Sequence, residues 1–152
     1  MKKYKRNKNE KQYIPRHTEK YCGTYPIICR SSWEYRMCEW LDYNNKVTEW
    51  SSENHRIPYF DPVNNRNRIY YPDYYVCFKG GRRFIAEVKP TKDCRLPKKR
   101  GGKSDKTMII REQTFLINKA KFKAAQEYCK KLGMKFVVIT EKDLFRGNKW
   151  II

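Results

Sequence analysis

Three side chains have the types and spacing for phosphodiester chemistry. Asp73 lies in YYPDYYV (70–76), and Glu87 and Lys89 lie in IAEVKP (85–90). Both segments are otherwise aromatic and aliphatic, so charge there has to be explained. On a strand, Glu87 and Lys89 are two residues apart and share a face, with about 7 Å between Cα atoms. The position of Asp73 depends on the turn between the segments. A two-residue Gly80-Gly81 turn pairs 79 with 82 and sets Asp73 opposite Val88. A three-residue loop, Lys79-Gly80-Gly81, pairs 78 with 82 and sets Asp73 opposite Glu87. The second register makes a carboxylate pair with Cβ atoms within about 5.5 Å. Such a pair repels itself, and a divalent cation resolves that. Mg²⁺, with Mn²⁺ as a second option, takes oxygen ligands and is typically held by one or two carboxylates plus a substrate phosphate. It acidifies a water for attack on phosphorus, and a nearby lysine offsets the developing charge.

An acid–x–lysine triplet also arises by chance in a chain this charged. The competing reading is an exposed cross-strand ion network worth at most about 1 kcal/mol per pair. Context favours the site, because the triplet ends an apolar strand and a basic loop follows at once. Glu34 is a third candidate acid, at the edge of a helical apolar stripe, although a Glu three residues after Ser31 also suits a capping box. Lys121, Lys123 and Gln126 fall on a later helix and are candidates for substrate contact. His17 and His55 have no partner pattern.

The elements that must position these groups are legible in outline. A helix is expected over 32–43, with Trp33, Met37, Trp40 and Leu41 on one stripe. KVTEW (46–50) and HRIPYFD (55–61) read as strands, Pro58 marking an edge or bulge. NNRN (64–67) reads as a turn. RIYYPDYYVCF (68–78) and RRFIAEVK (82–89) read as the two strands of the hairpin. Residues 90–107 hold seven Lys/Arg, two Pro and two Gly and are expected to form a long functional loop. A second helix is expected over 119–132, capped by Asn118 and stopped by Gly133. MKFVVIT (134–140) reads as a buried strand, and EKDLF starts a short last helix. The order predicts an α/β domain, a mixed sheet with helices on its faces.

The chain has 152 residues, enough for one domain with a modest core. Its net charge is +19, from 35 Lys+Arg against 16 Asp+Glu. Such an excess opposes compaction and suits a polyanion, here double-stranded DNA, through counterion release and steering. A membrane is not expected as partner, since no apolar run approaches about 18 residues. No export signal is expected either, since the leading MKKYKRNKNEKQY has no apolar region behind its charges. Free cysteines are then the default, and zinc is not expected, because none of the six Cys forms a CxxC pair. Residues 1–20, with eight Lys/Arg, read as a loosely ordered basic arm before a single domain over 21–152.

RSSWEYRMCEWLDYN (30–44), EWSSENHRIPYF (49–60), YYPDYYV, IAEVKP and KFKAAQEYCKKLGMKFVVITE (121–141) resemble the head completion nucleases of tailed phages. The resemblance runs from about 21 to 145. It is more specific than the PD…ExK signature alone, which restriction-enzyme-like nucleases, resolvases and some transposition endonucleases share. It implies a restriction-endonuclease-like fold, a mixed central sheet flanked by helices, with a PD-(D/E)xK metal site. By position, the implied metal ligands are Asp73 and Glu87, with the Val88 carbonyl as a further option and Glu34 completing or supporting the site. Lys89 is the implied catalytic lysine. Lys121 and Gln126 would face the site. The 90–107 loop is where this chain is most individual, and its Lys98, Lys99, Arg100 and Lys103 are candidate DNA contacts from the loop's own charge, not from the resemblance. The implied role is a metal-dependent DNA endonuclease acting in head completion after genome packaging, in the virion or the host cytoplasm, with head, portal or neck proteins as partners. A non-enzymatic neck or plug protein, and a junction or transposon-end nuclease, are the alternatives.

Overall fold

Alternation of buried apolar side chains with partly exposed ones builds the centre of the molecule. A computed structural model describes residues 8–98, 101–102 and 104–145. In chain order the elements are β1 (Lys11–Tyr13), β2 (Ile27–Cys29), α1 (Ser32–Tyr43), β3 (Val47–Ser52), β4 (Ile57–Asp61), β5 (Arg66–Tyr70), β6 (Tyr74–Phe78), β7 (Arg83–Val88), α2 (Asp105–Lys131), β8 (Lys135–Ile139) and α3 (Glu141–Phe145). The central sheet runs β3-β6-β7-β8. Its first three strands are antiparallel, and β8 joins β7 in parallel. A parallel partner needs a crossover, and α2 supplies it. The expected mixed sheet with helices on both faces is therefore present.

Period-two patterning assigns the faces. Tyr74, Val76 and Phe78 of β6, with Phe84 and Ala86 of β7, pack with Met37, Cys38 and Leu41 of α1 around Trp50. The opposite face carries Ile85 against Cys129 and Met134, and Tyr75, Tyr128 and Phe136 pack against that cluster. Removing either helix would strip one face of the sheet.

Four expectations need correction. First, residues 68–78 are not one strand. Pro72 is buried and has no N–H to give a ladder, so the chain breaks at 71–73. β5 leaves the central sheet and pairs with β4 in a separate two-stranded ribbon, where Pro58 stands exposed. Second, α2 begins at Asp105, not near 119. Ser104 Oγ accepts the Thr107 N–H, and Met108, Arg111, Glu112, Gln113 and Leu116 that follow are good helix formers. Asn118 is buried within the helix rather than capping it. At 1.5 Å per residue the 27-residue helix spans about 40 Å. The long loop shrinks to a 3₁₀ turn at Thr91–Cys94 and the stretch up to Ser104, and the candidate contacts Lys99, Arg100 and Lys103 lie outside the described residues.

Third, residues 8–20 are built into the domain, while 1–7 lie outside the described residues. Tyr13 is buried, and β1 pairs with β2. Asp42, also buried, accepts from the Tyr13 hydroxyl at 2.7 Å and from the N–H groups of Arg16 and His17 at 2.8 and 2.9 Å. Lys20 Nζ donates to the carbonyls of Leu41, Asp42 and Asn44 at the end of α1, at 2.9, 2.7 and 2.8 Å. A cation on the carbonyls at the C-terminal end of a helix is favourable. Charge composition hid this role, because a lysine that caps a helix counts the same as one in solvent. Fourth, β8 is an outer strand, and only Ile139 of its five residues is buried.

Candidate active site

The turn between β6 and β7 takes the three-residue form. Phe78 N–H donates to Arg82 O at 2.9 Å, and Gly81 N–H donates to Phe78 O at 3.0 Å. Gly80 and Gly81 have φ of 94° and 88°, a region that disfavours a Cβ. The register pairs Tyr74 with Ala86 and Tyr75 with Ile85. Carried one residue further, it sets Asp73 opposite Glu87, at the end of the ladder where Pro72 has broken the strand.

The two acids are fixed by backbone and by each other's surroundings. Asp73 Oδ2 accepts the Val88 N–H at 2.8 Å, and Asp73 N–H donates to Glu87 Oε2 at 3.2 Å. The Asp73 carbonyl accepts the Glu53 N–H at 2.9 Å, which ties the site to the end of β3. Glu87 is buried, and its Oε2 also accepts the Tyr70 hydroxyl at 2.7 Å. Burial pushes the Asp73 carboxyl well above its ordinary pKa, and the charges of Glu87 and Glu34 push it further. Burial also raises Glu87, against the Tyr70 hydrogen bond and Lys89. Lys89 Nζ lies 3.7 Å from Glu87 Oε1.

Glu34 acts from the start of α1. Ser31 Oγ accepts the Glu34 N–H at 3.1 Å, as a capping box requires. The return bond is displaced by one residue, since Glu34 Oε2 accepts from Arg30 N–H at 2.8 Å rather than from Ser31. The Glu34 carbonyl accepts the Tyr74 hydroxyl at 2.9 Å, so α1 is pinned to the residue after Asp73. Burial raises the Glu34 carboxyl, with Arg30 opposing. Glu34 thus shares a field with Asp73 while its own carboxylate is engaged elsewhere.

Lys121 stands beside this cluster. Its Nζ lies 5.5 Å from the Tyr70 ring centroid and 5.9 Å from that of Tyr59. Burial and then Lys89 lower its pKa, while Glu87 raises it. Gln126 is placed differently. It is exposed, about 140° from Lys121 around the helix, and lines a cleft of about 500 Å³ with Asp93, Cys94, Asn118, Lys119 and Phe122. Lys98 is exposed at the rim of a neighbouring cleft with Arg95 and Arg111. Tyr70 was missed in the sequence, because aromatic residues crowd 70–75 and nothing in spacing marks the one whose hydroxyl reaches Glu87.

A divalent cation suits this donor set. The carboxylates of Asp73 and Glu87 are hard oxygen donors, held close with their charges poorly solvated, and each favours protonation unless a cation offsets it. Among the described residues no three His, Cys, Asp or Glu side chains already converge as ligands. The donor set is therefore a pair of carboxylates, the number Mg²⁺ commonly takes from a protein when phosphate and water complete its shell.

Residues 44–141 match the family described as TnsA-like endonuclease N terminal. The chain is also similar to a protein of Enterobacteria phage T4 named head completion nuclease. The two are 34% identical over 137 residues, which cover 88% of this chain and 91% of that protein.

Proposed function

The chain belongs to the family of TnsA-like endonucleases, which has a restriction-endonuclease-like fold, and from that premise we propose that it hydrolyses phosphodiester bonds of double-stranded DNA with Mg²⁺ or Mn²⁺ as cofactor. The observation that carries the reading is the opposition of Asp73 and Glu87 across the β6–β7 ladder, beside Lys89. Asp73 and Glu87 would hold the cation. When bound, it supplies Lewis acidity that polarises the scissile phosphate and lowers the pKa of an attacking water.

The remaining work falls to the chain's own groups. The Val88 N–H fixes the Asp73 carboxylate, and the Tyr70 hydroxyl and Asp73 N–H both fix Oε2 of Glu87. Glu87 Oε1 is left facing Lys89. The Lys89 ammonium neutralises charge that builds on the phosphoryl oxygens as the water–phosphorus bond forms and the bond to the leaving oxygen breaks. Lys121 adds positive charge on the same side. The negative charge of Glu34 opposes ionisation of Asp73 in the free site, and a bound cation would relieve that repulsion.

The similarity to the phage T4 protein named head completion nuclease supports a role in phage head completion. We place that role on packaged DNA, in the virion or in the host cytoplasm during assembly, with head, portal or neck proteins as neighbours. The test is incubation of supercoiled plasmid with the protein and Mg²⁺ or Mn²⁺, with EDTA controls, over a range of salt. Metal-dependent nicking or linearisation that disappears in Asp73→Ala and Glu87→Ala is expected. No metal-dependent cutting by the wild type at any salt would overturn the reading and leave a structural DNA-binding role.

A further inference from the structure

One wall of α2 carries two amides and two phenylalanines that the carboxylate pair does not use. Phe115, Asn118, Phe122 and Gln126 line a cleft of about 500 Å³ between α2 and the Thr91–Cys94 turn. Sites for small ligands commonly have about this volume. Phe115 and Phe122 are seven residues apart, so they stand on one line of the helix, with Asn118 between them in height. Phe122 is backed by Phe136, the ring centroids 5.4 Å apart. Asn118 is only 6% exposed. Among the described residues nothing hydrogen-bonds its side-chain amide. A buried amide in a helix interior is costly without a partner and needs a reason to be there. The sealed, unpaired side-chain atoms among the described residues are Trp50 Nε1, Ser51 Oγ and Thr91 Oγ1. The Asn118 amide is not sealed in this way, and the surface it keeps opens on the cleft.

Resting on the nuclease reading above, we propose that this cleft holds an unpaired nucleobase of the DNA strand, adenine by preference, so that the protein favours a duplex with an unpaired end nucleotide over a blunt one. Each part of a nucleotide has a counterpart in the walls. The phenylalanine rings offer a face on which a base stacks. The Asn118 amide, one donor and one acceptor side by side, matches N6 and N7 of adenine. Lys119 and Lys123 are exposed in the same wall, where a flanking phosphate would lie. Asp93 in the facing wall disfavours a bare anion such as inorganic phosphate, and it can accept from an exocyclic amino group. The cleft also lies close to the reacting centre. Cys94, in its wall, donates to the carbonyl of Pro90 at 3.5 Å, and Pro90 follows Lys89. Asn118 is three residues, about 4.5 Å of helix axis, from Lys121. Lys121 Nζ in turn lies 5.5 Å from the ring of Tyr70, whose hydroxyl donates to Glu87. A strand with its end base in the cleft therefore runs beside the carboxylate pair. The neighbouring cleft, with Arg95, Lys98 and Arg111, shares Phe115 and Asp93 and continues the cationic surface.

The test measures binding of the full chain in EDTA to three duplex ends at fixed salt: blunt, with a single adenine overhang at the 3′ or 5′ side, and with the same overhang made abasic. The abasic end keeps the sugar and phosphate and lacks only the base. The wild type should bind one of the adenine overhangs about tenfold more tightly than the blunt or abasic end. Asn118→Ala and Phe115→Ala should each erase most of that preference. Asn118→Ala should also melt no lower than the wild type, since alanine favours the helix and removes an unpaired amide. Equal wild-type affinity for adenine and abasic overhangs would overturn the proposal, whatever the variants do. So would a preference that survives in both variants, or free deoxyadenosine monophosphate binding as tightly as the overhang does. Cleavage is not read here, so failure of this comparison leaves the plasmid test intact, and failure of the plasmid test leaves this comparison intact.

Discussion

Burial raises the pKa of both Asp73 and Glu87, and the charge of Glu87 raises Asp73 further, so folding with both ionised is costly. A group whose folded pKa is raised destabilises the fold once pH exceeds its unfolded value, and the cost is complete above the folded value. Asp73→Asn and Glu87→Gln keep an acceptor for the Val88, Tyr70 and Asp73 donors and discard the charge. Each should melt higher than the wild type at neutral pH without metal, by on the order of 1 kcal/mol, while losing activity. Mg²⁺ should then raise the melting temperature of the wild type and not of the variants. A wild type indifferent to Mg²⁺ in melting would count against the pair as ligands. Tyr70→Phe is subtler, since it removes only the hydroxyl that holds Glu87 Oε2. Partners of metal-holding groups commonly cost 10–100-fold in metal affinity or activity when lost, so cleavage should fall about that much at limiting Mg²⁺ and recover in part at high Mg²⁺. An equal loss at all Mg²⁺ concentrations would point away from positioning of Glu87.

At the scale of elements, the β6–β7 hairpin matters because its loop length sets which residue opposes Glu87. Deleting Cys77 within β6 would keep the loop and slide Tyr74–Val76 by one residue along β7, setting Asp73 opposite Ala86 instead of Glu87. The side chains of Tyr74–Val76 would then change face, at a cost the core around Val76 would resist. The expected result is a marked loss of stability together with loss of cleavage, read by thermal melting and plasmid nicking. Substituting Lys79→Ala keeps the loop length and should leave both nearly unchanged. What the sequence made legible follows the same logic. Periodicity placed α1 within its observed bounds, because that helix buries one stripe against the sheet, and the apolar runs of β6 and β7 placed the acids on neighbouring segments, Asp73 just before β6 and Glu87 within β7. It failed where a single residue overrode the pattern. Pro72 cut an eleven-residue aromatic run into two strands of different sheets, and Ser104 started a helix that composition had read as loop. Tyr70 as partner of Glu87, and the ribbon as a separate layer, depend on that break and on tertiary packing, which no local spacing encodes.

For the molecule as a whole, the excess of cations makes each buried acid count. Asp42 is buried at the junction of α1 with residues 13–20. Burial works against its ionisation, yet the hydrogen bonds from Tyr13, Arg16 and His17 outweigh that and hold its carboxyl below the ordinary range. A depressed pKa contributes stability that is complete above the unfolded value of about 3.9 and is lost as pH falls through the folded value. Below that point the N-terminal segment loses its anchor just as protonation of the other acids leaves the repulsion among 35 Lys and Arg uncompensated. Asp42→Asn should therefore be less stable than the wild type at neutral pH, by about 1–3 kcal/mol, with the two converging as pH drops below about 4. Urea denaturation from neutral to acid pH measures this directly. Parallel curves with a constant gap would show that Asp42 contributes through packing rather than charge. Truncation of residues 1–20 gives the complementary result. If this segment only supplied charge, its removal would reduce DNA affinity and spare the fold. Because it carries Tyr13 and Lys20, removal should instead strip Asp42 of its donors, uncover the core that Tyr13 packs on, and lower the melting temperature more than Asp42→Asn does.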